Sequence, residues 1–356
     1  MRPLALSLSL TVLFAFAPVA RAATIGVVPS AQALDMMAGK ENSYDLYALQ
    51  GVTLTNLNTN IPKTNGSQVW LIGQTVYYND ADGLYSQPIG SSTPKKIRAQ
   101  KSLSGELMLG KKWLISNKAK TAGSQSFFFN VQTKQVTKFT PAVKAIAAAD
   151  ATSDKLTLVM VAKNGQGKQK LFLSTTSIHK VREFPLPSKA KSCDGITIAP
   201  TGKTVIVGCT FTVSGSTTSK DGYAIYTRSG NDLKLVTKTV DNTSIGGLIW
   251  PDDQHAIVLA DMASGAIDVH KWGIAKGKIT SNKSLFSSGR SDSGGQSIVY
   301  APFQLLRWTK NKFYYNIMFV YSSNTDVYFS LIGSYDLSTG ENVVVANNSN
   351  FQVIFY

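Results

Sequence analysis

The sequence predicts an all-β fold, a seven-bladed β-propeller with six blades as the alternative, and three observations lead there. The first is a unit of four short strands. Residues 193–200 are an apolar run stopped by the turn Thr201-Gly202, and 204–211 follow at once. After a polar loop, 223–228 are turned by Ser229-Gly230-Asn231-Asp232 into 233–238. Four β-branched or aromatic runs bounded by turn residues describe an antiparallel meander. Such a unit cannot bury both its faces alone and needs stacked copies. The second observation is that copies recur. The third is a set of leftover strands at the two termini that complete one more unit.

Taken in order, the copies are 69–73, 75–78, 83–87 and 95–98; then 106–109, 112–116, 126–130 and 135–139; then 145–147, 155–161, 170–173 and 181–184. After the unit at 193–238 come 247–250, 255–259, 266–270 and 278–286, and then 304–308, 312–320, 328–336 and 341–345. Residues 45–49 and 52–57 read as third and fourth strands, and 351–356 as a lone first strand. A blade shared between the termini uses all three and leaves no open edge. Its second strand is expected at about residues 32–37. The third-strand landmarks Tyr47, Tyr85, Phe128, Phe172, Tyr226, Val269 and Ile332 stand 38–63 residues apart, a spacing that accommodates loop insertions.

The first residues are set aside before any folding argument. Arg2 precedes an apolar stretch from Leu4 to about Ala20, and Ala20-Arg21-Ala22 fits a small-x-small cleavage site. Residues 1–22 are expected to be a secretory signal peptide, with 23–356 a single exported domain, periplasmic or extracellular. No Cys follows the apolar stretch, which speaks against a lipid anchor there, and no later segment reaches the roughly 18 apolar residues of a membrane span. The two cysteines, Cys193 and Cys209, lie at the outer ends of a predicted hairpin. If Ala199 pairs with Thr204, they fall within one residue of each other, and in an exported chain a disulfide is the natural expectation.

Resemblance enters at the turns. Pro200-Thr201-Gly202-Lys203 between two apolar runs is similar to the Pro-Asp-Gly-Lys hairpin of TolB-like and related WD40-like bacterial β-propellers, and Ser338-Thr339-Gly340-Glu341 looks like their outer-strand turn. Thr201 stands where those proteins carry Asp, Pro251-Asp252-Asp253-Gln254 lacks the Gly, and no Trp-Asp pair ends a strand.

Motifs that suggest chemistry have simpler readings. The three histidines, His179, His255 and His270, read as satisfied or exposed rather than as ligands, because a metal centre needs several donors on one point. Ser291-Asp292-Ser293-Gly294-Gly295 resembles a protease nucleophile stretch but has no matching base, and reads as a flexible loop between blades. Asn79-Asp80-Ala81-Asp82-Gly83 resembles part of a calcium loop but lacks the first and twelfth ligands, and reads as a tight hairpin turn. No catalytic residue, metal site or cofactor is expected.

Charge is the stronger lead. The formal net charge is +15, yet residues 91–192 alone carry 19 Lys or Arg against Glu106, Asp150, Asp154 and Glu183. Lys95, Lys96, Arg98, Lys101, Lys111, Lys112, Lys118 and Lys120 are the candidate partner-binding residues, since such an imbalance attracts polyanions. The aromatics nearby lie in β runs, which counts against nucleic acid. The expectation is a monomeric, non-enzymatic binding or scaffold protein of the bacterial envelope, engaging an acidic envelope polymer or protein. The alternative is a carbohydrate-active lyase or hydrolase with its site in the channel, for which Asp252, Asp253, His255 and Asp292 would have to meet in one cleft.

Overall fold

The computed structural model describes residues 25–29, 43–50, 53–62 and 69–355, apart from breaks at 81, 100–101, 120–123, 153, 176–178, 214, 216–217, 242, 262–266, 288, 294–295, 310, 322–327 and 347–350. The signal peptide and the second strand expected at 32–37 lie outside the described residues. All regular structure among those residues is strand.

The strands pair into seven antiparallel sheets. Sheet 1 joins both ends of the chain: Phe351–Phe355 pairs with Ile25–Pro29, which pairs with Ser43–Gln50 and then Thr53–Pro62. The second strand of this sheet is therefore Ile25–Pro29 and not the expected 32–37. Sheet 2 is Val69–Ile72, Thr75–Asp80, Gly83–Pro88 and Lys95–Ala99, and sheet 3 is Leu103–Leu109, Lys112–Asn117, Phe127–Asn130 and Val136–Lys138. Sheet 4 is Val143–Ala151, Leu158–Asn164, Gln169–Ser174 and Arg182–Phe184, and sheet 5 is Ala190–Ile198, Thr204–Thr212, Ser219–Ser229 and Asp232–Val240. Sheet 6 is Ser244–Ile249, His255–Asp261, Ile267–Ala275 and Lys278–Ser287.

Sheet 7 has a fifth strand. Gly289–Ser293 pairs with Gln296–Thr309, ahead of Lys312–Tyr321, Tyr328–Asp336 and Asn342–Ala346. The Ser291–Ser293 part of the expected flexible loop is thus strand, with register Asp292↔Ser297 and Ser293↔Gln296.

The core lies between sheets, not within one. Along Leu158–Asn164, Val159 and Val161 join the apolar cluster shared with sheet 5, while Leu158, Met160 and Ala162 join the one shared with sheet 3. Similar clusters hold Trp70 and Leu84 against Trp113 and Phe127, Ile206 and Ile225 against Val258 and Trp272, and Leu259 and Val269 against Phe313 and Tyr315. Successive side chains of a strand point to opposite faces, and here both faces are buried. That is why the central strands read as unbroken apolar runs rather than alternating ones.

Contacts between sheets run through their first strands or, in sheet 7, the strand after Gly289–Ser293: Leu103–Leu109 touches Val143–Ala151, which touches Ala190–Ile198, which touches Ser244–Ile249, which touches Gln296–Thr309. These first strands are the inner ones of a propeller-like arrangement. Each carries a register shift, for example between Gly105 and Leu107, Ile146 and Ala148, and Ile245 and Gly247. A bulge leaves backbone groups off the ladder, and side chains of the preceding sheet take them up. Asn79 Oδ1 accepts from the Gly105 amide at 3.4 Å, and Ser116 Oγ accepts from the Ile146 amide at 2.9 Å.

Candidate functional site: a cationic flank

The turn chemistry fixes where the cations stand. In an antiparallel meander the first–second and third–fourth turns share one end of the sheet, and the second–third turn occupies the other. In sheet 3 the first of these turns holds Lys111, directly after Gly110 at φ 60°. The third–fourth turn holds Lys134. Asn130 Oδ1 accepts from the amides of Gln132 at 2.9 Å and Thr133 at 3.0 Å, and the Val131 amide donates to the Lys111 carbonyl at 2.9 Å. The two turns are thereby tied side by side. Lys111 Nζ reaches Gln132 Oε1 at 2.6 Å, and Lys134 Nζ donates to the Val131 carbonyl at 2.6 Å. Burial, and then the charge of Lys95 on the neighbouring sheet, hold the Lys134 ammonium below the usual lysine range.

The other candidates are distributed differently. Lys96 is paired with Asp82 at 2.5 Å and lies 5.4 Å from the Tyr85 ring centre. Arg98 crosses to sheet 3, its guanidinium 5.0 Å from the Phe127 ring centre. Lys112 is exposed at the start of its strand. Lys118 follows the end of that same strand, at the far end of sheet 3, 4.0 Å from Glu106. Lys101 and Lys120 lie outside the described residues. Lys111 and Lys134 therefore stand on adjoining turns at one end of sheet 3, Lys112 opens the strand at that same end, Lys95, Lys96 and Arg98 lie along the outer strand of sheet 2, and Lys118 stands apart. Lys134 was not singled out in the sequence; its signal is the Thr133-Lys134 turn that follows Asn130.

Cations over rings recur on the outer strands, with Lys134 on Phe129, Arg182 on Phe184 and Lys238 on Phe211 at 5.9, 5.4 and 5.7 Å. Each such contact adds about 0.5–1 kcal/mol at an exposed site and holds the long side chain in place. Lysines on an edge strand also deter pairing with another chain.

The acids of the same stretch are withdrawn from the surface. Glu106 sits at the first-strand bulge of sheet 3, 14% exposed in its side chain. Burial pushes its carboxyl up to about 7 against the pull of Lys118. Asp150 is half-buried, and desolvation raises it to about 6 while it accepts from the Ile198 amide at 2.9 Å and Thr197 Oγ1 at 3.0 Å. Asp154 is occupied by Thr152 Oγ1 and the Leu156 amide, and Glu183 by Asn164 Nδ2. Among the described residues between 91 and 192, fourteen of seventeen cations are exposed, and the exposed acids are Asp154 and Glu183.

The remaining motifs resolve into local structure. Cys193 and Cys209 face each other directly across the first two strands of sheet 5 and form a disulfide, Cα–Cα 4.0 Å, with the Ala199 amide donating to the Thr204 carbonyl as expected. At 79–83 a tight hairpin turn pairs Asp80 with Gly83, and the Asp82 carboxylate accepts from the Tyr85 hydroxyl at 2.7 Å. Asp252 caps the turn before sheet 6's second strand, accepting from the Gln254 and His255 amides and lying 2.9 Å from His255 Nδ1. Asp253 instead clamps the Thr201 amide of sheet 5 at 2.9 Å. Asp252 and Asp253 thus serve two different turns, and Asp292's side chain lies outside what is described. His270 departs from the expectation of a satisfied or exposed ring. It is buried, neither ring nitrogen has a hydrogen-bond partner among the described residues, and Asp268 lies 3.7 Å away.

No protein-family model matches the chain, and no curated protein matches it. Among solved structures it is similar to dihydro-heme d1 dehydrogenase NirN in complex with DHE, with a TM-score of 0.53, 12% identity, and coverage of 93% of this chain and 75% of that one. It also matches TolB from Acinetobacter baumannii (TM-score 0.41, 15% identity, 74% of this chain and 63% of that one). A third is the tricorn protease (TM-score 0.49, 8% identity, 88% and 39%). The chain thus spans less than two thirds of the length of either of the latter two. At these identities the likeness is one of fold alone, and TolB stands among the structures matched.

Proposed function

We propose that this is an exported, non-enzymatic binding or scaffold protein whose cationic flank, spanning sheets 2–4, engages an acidic partner. The observation that carries the reading is the surface imbalance between residues 91 and 192: fourteen exposed cations against two exposed acids, with Glu106 and Asp150 turned inward. Burying carboxyls is costly unless they are compensated, and withdrawing them leaves the surface field more one-sided than the sequence count implies. A field of one sign raises the encounter rate with the opposite sign.

The scaffold we propose for it is a single seven-bladed propeller over residues 23–356. Pairing of Phe351–Phe355 with Ile25–Pro29 favours seven blades over six, since it gives the terminal strands a common sheet. Export rests on the signal-like residues 1–22, and N-terminal sequencing of the secreted product should begin at Ala23.

The test of function is a binding titration of the mature protein against inorganic polyphosphate and against polygalacturonate, at low and high salt. Binding through released counterions weakens steeply as salt rises. No binding to either polymer, or binding indifferent to salt, counts against the reading.

A further inference from the structure

Four lysines gather without a countercharge at one end of sheet 3. Lys111 and Lys134 lie in its turns, Lys112 opens the strand after the first of them, and Lys95 begins the outer strand of sheet 2, which reaches sheet 3 where Arg98 stacks on Phe127. Among the described residues no ion pair involves any of the four, although Lys96, one residue from Lys95, has Asp82. Like charges held together against their own repulsion, on turns braced by Asn130 and Gln132, form a preorganised seat for negative charge.

The backbone adds a second observation. Lys134 has φ 63°, in the left-handed region. A turn that needed only that conformation would be met with less strain by Gly or Asn. Four of the five non-glycine residues with positive φ among the described residues are lysines (Lys134, Lys155, Lys189 and Lys276), so lysine recurs where the backbone alone would favour another residue. Strain of this kind is kept where the side chain is needed.

The surroundings narrow the ligand. Every aromatic ring between 91 and 192 is buried, from Trp113 at 0% to Phe184 at 7% exposure. Bases would have no exposed ring there to stack on, as single-stranded nucleic acid requires. Among the described residues of the stretch, the exposed large apolar side chains are Val136 and Leu156, too few for the apolar centre of a protein interface.

Resting on the function proposed above, we infer that Lys95, Lys111, Lys112 and Lys134 form the principal seat of the flank, and that it takes an extended, non-aromatic anionic polymer bearing phosphate or carboxylate groups.

The experiment compares the mature wild-type protein with a Lys111→Ser/Lys134→Gly variant and, as a control on the exposed outer strand of sheet 6, outside the flank, Lys283→Ser. Lys134→Gly relieves the left-handed backbone, so a thermal melt should show a folded variant. With polyphosphate as probe, the double variant should bind roughly tenfold more weakly at low salt. Its slope of log K against log salt should fall by about 0.7 for each lysine removed, while Lys283→Ser stays near wild type. Polygalacturonate repeats the comparison with carboxylates, and the stronger of the two polymers identifies the group recognised. If the wild type binds but the double variant is unchanged, or the control loses as much, the seat is misplaced while the general function survives. If the wild type binds neither polymer, the general function fails with it. Tighter binding of oligo-dT at equal charge, or of a folded acidic protein alone, overturns the choice of ligand.

Discussion

Gln169 and Cys193 exchange two hydrogen bonds across the boundary between sheets 4 and 5: Gln169 Nε2 donates to the Cys193 carbonyl at 2.7 Å, and the Cys193 amide donates to Gln169 Oε1 at 3.0 Å. The primary amide thus mimics a neighbouring strand at the bulge between Cys193 and Gly195. Gln169→Leu leaves both backbone groups unpaired and is expected to cost about 1–3 kcal/mol. A lower urea midpoint at constant m would register it.

The disulfide beside it closes a loop with a sequence separation of 16. Constraint of the unfolded chain over such a loop amounts to about 3 kcal/mol. Reduction, or Cys193→Ala with Cys209→Ala, should lower the melting temperature, and both treatments should lower it equally.

Gly105 is a second pressure point. A Cβ there would lie 2.4 Å from Trp113 Nε1 and 2.6 Å from Cε2, and Trp113 is fully buried. Gly105→Ala must therefore displace an indole that has nowhere to go, at a cost of about 1–3 kcal/mol. At Gly195 the nearest atoms to a new Cβ are 3.7 Å away, so Gly195→Ala should stay within about 1 kcal/mol of wild type in the same denaturation assay.

The pH dependence follows from Glu106. Its carboxyl is raised from 4.5 to about 7 by burial, so the folded protein keeps a proton that the unfolded chain has released. The stability this provides is full below pH 4.5 and is lost as pH rises through about 7. The effect amounts to roughly 3 kcal/mol at most. Glu106→Gln should flatten that part of the curve in urea melts at pH 4.5 and 7.5. Asp150, raised to about 6, acts in the same direction over a lower window.

Sheets 2–7 were legible because their strands are β-branched runs punctuated by turn residues such as Gly73, Gly110, Gly202 and Gly230, all at positive φ. The predicted and observed strands of sheet 2 differ by no more than two residues at any end. What escaped notice has a common cause. Gly289–Ser293 is small and polar, with no propensity to announce a strand; its place is set by pairing with Gln296–Tyr300. Ile25–Pro29 directly follows a signal-like segment, and its partners are far away in the chain. The cation cluster was half visible. Local density of lysine drew attention to Lys95, Lys111 and Lys112, but only folding separates Lys118 from them and adds Lys134. Nor does composition reveal that Glu106 and Asp150 face inward, because that depends on bulges and neighbouring sheets.

Val159 and Met160 are adjacent in the chain yet belong to different cores. Truncating one loosens the seam on one side of sheet 4, and truncating the other loosens the seam on the opposite side. Each middle strand is thus a party wall, and a sequence change of one position selects which neighbour feels the damage.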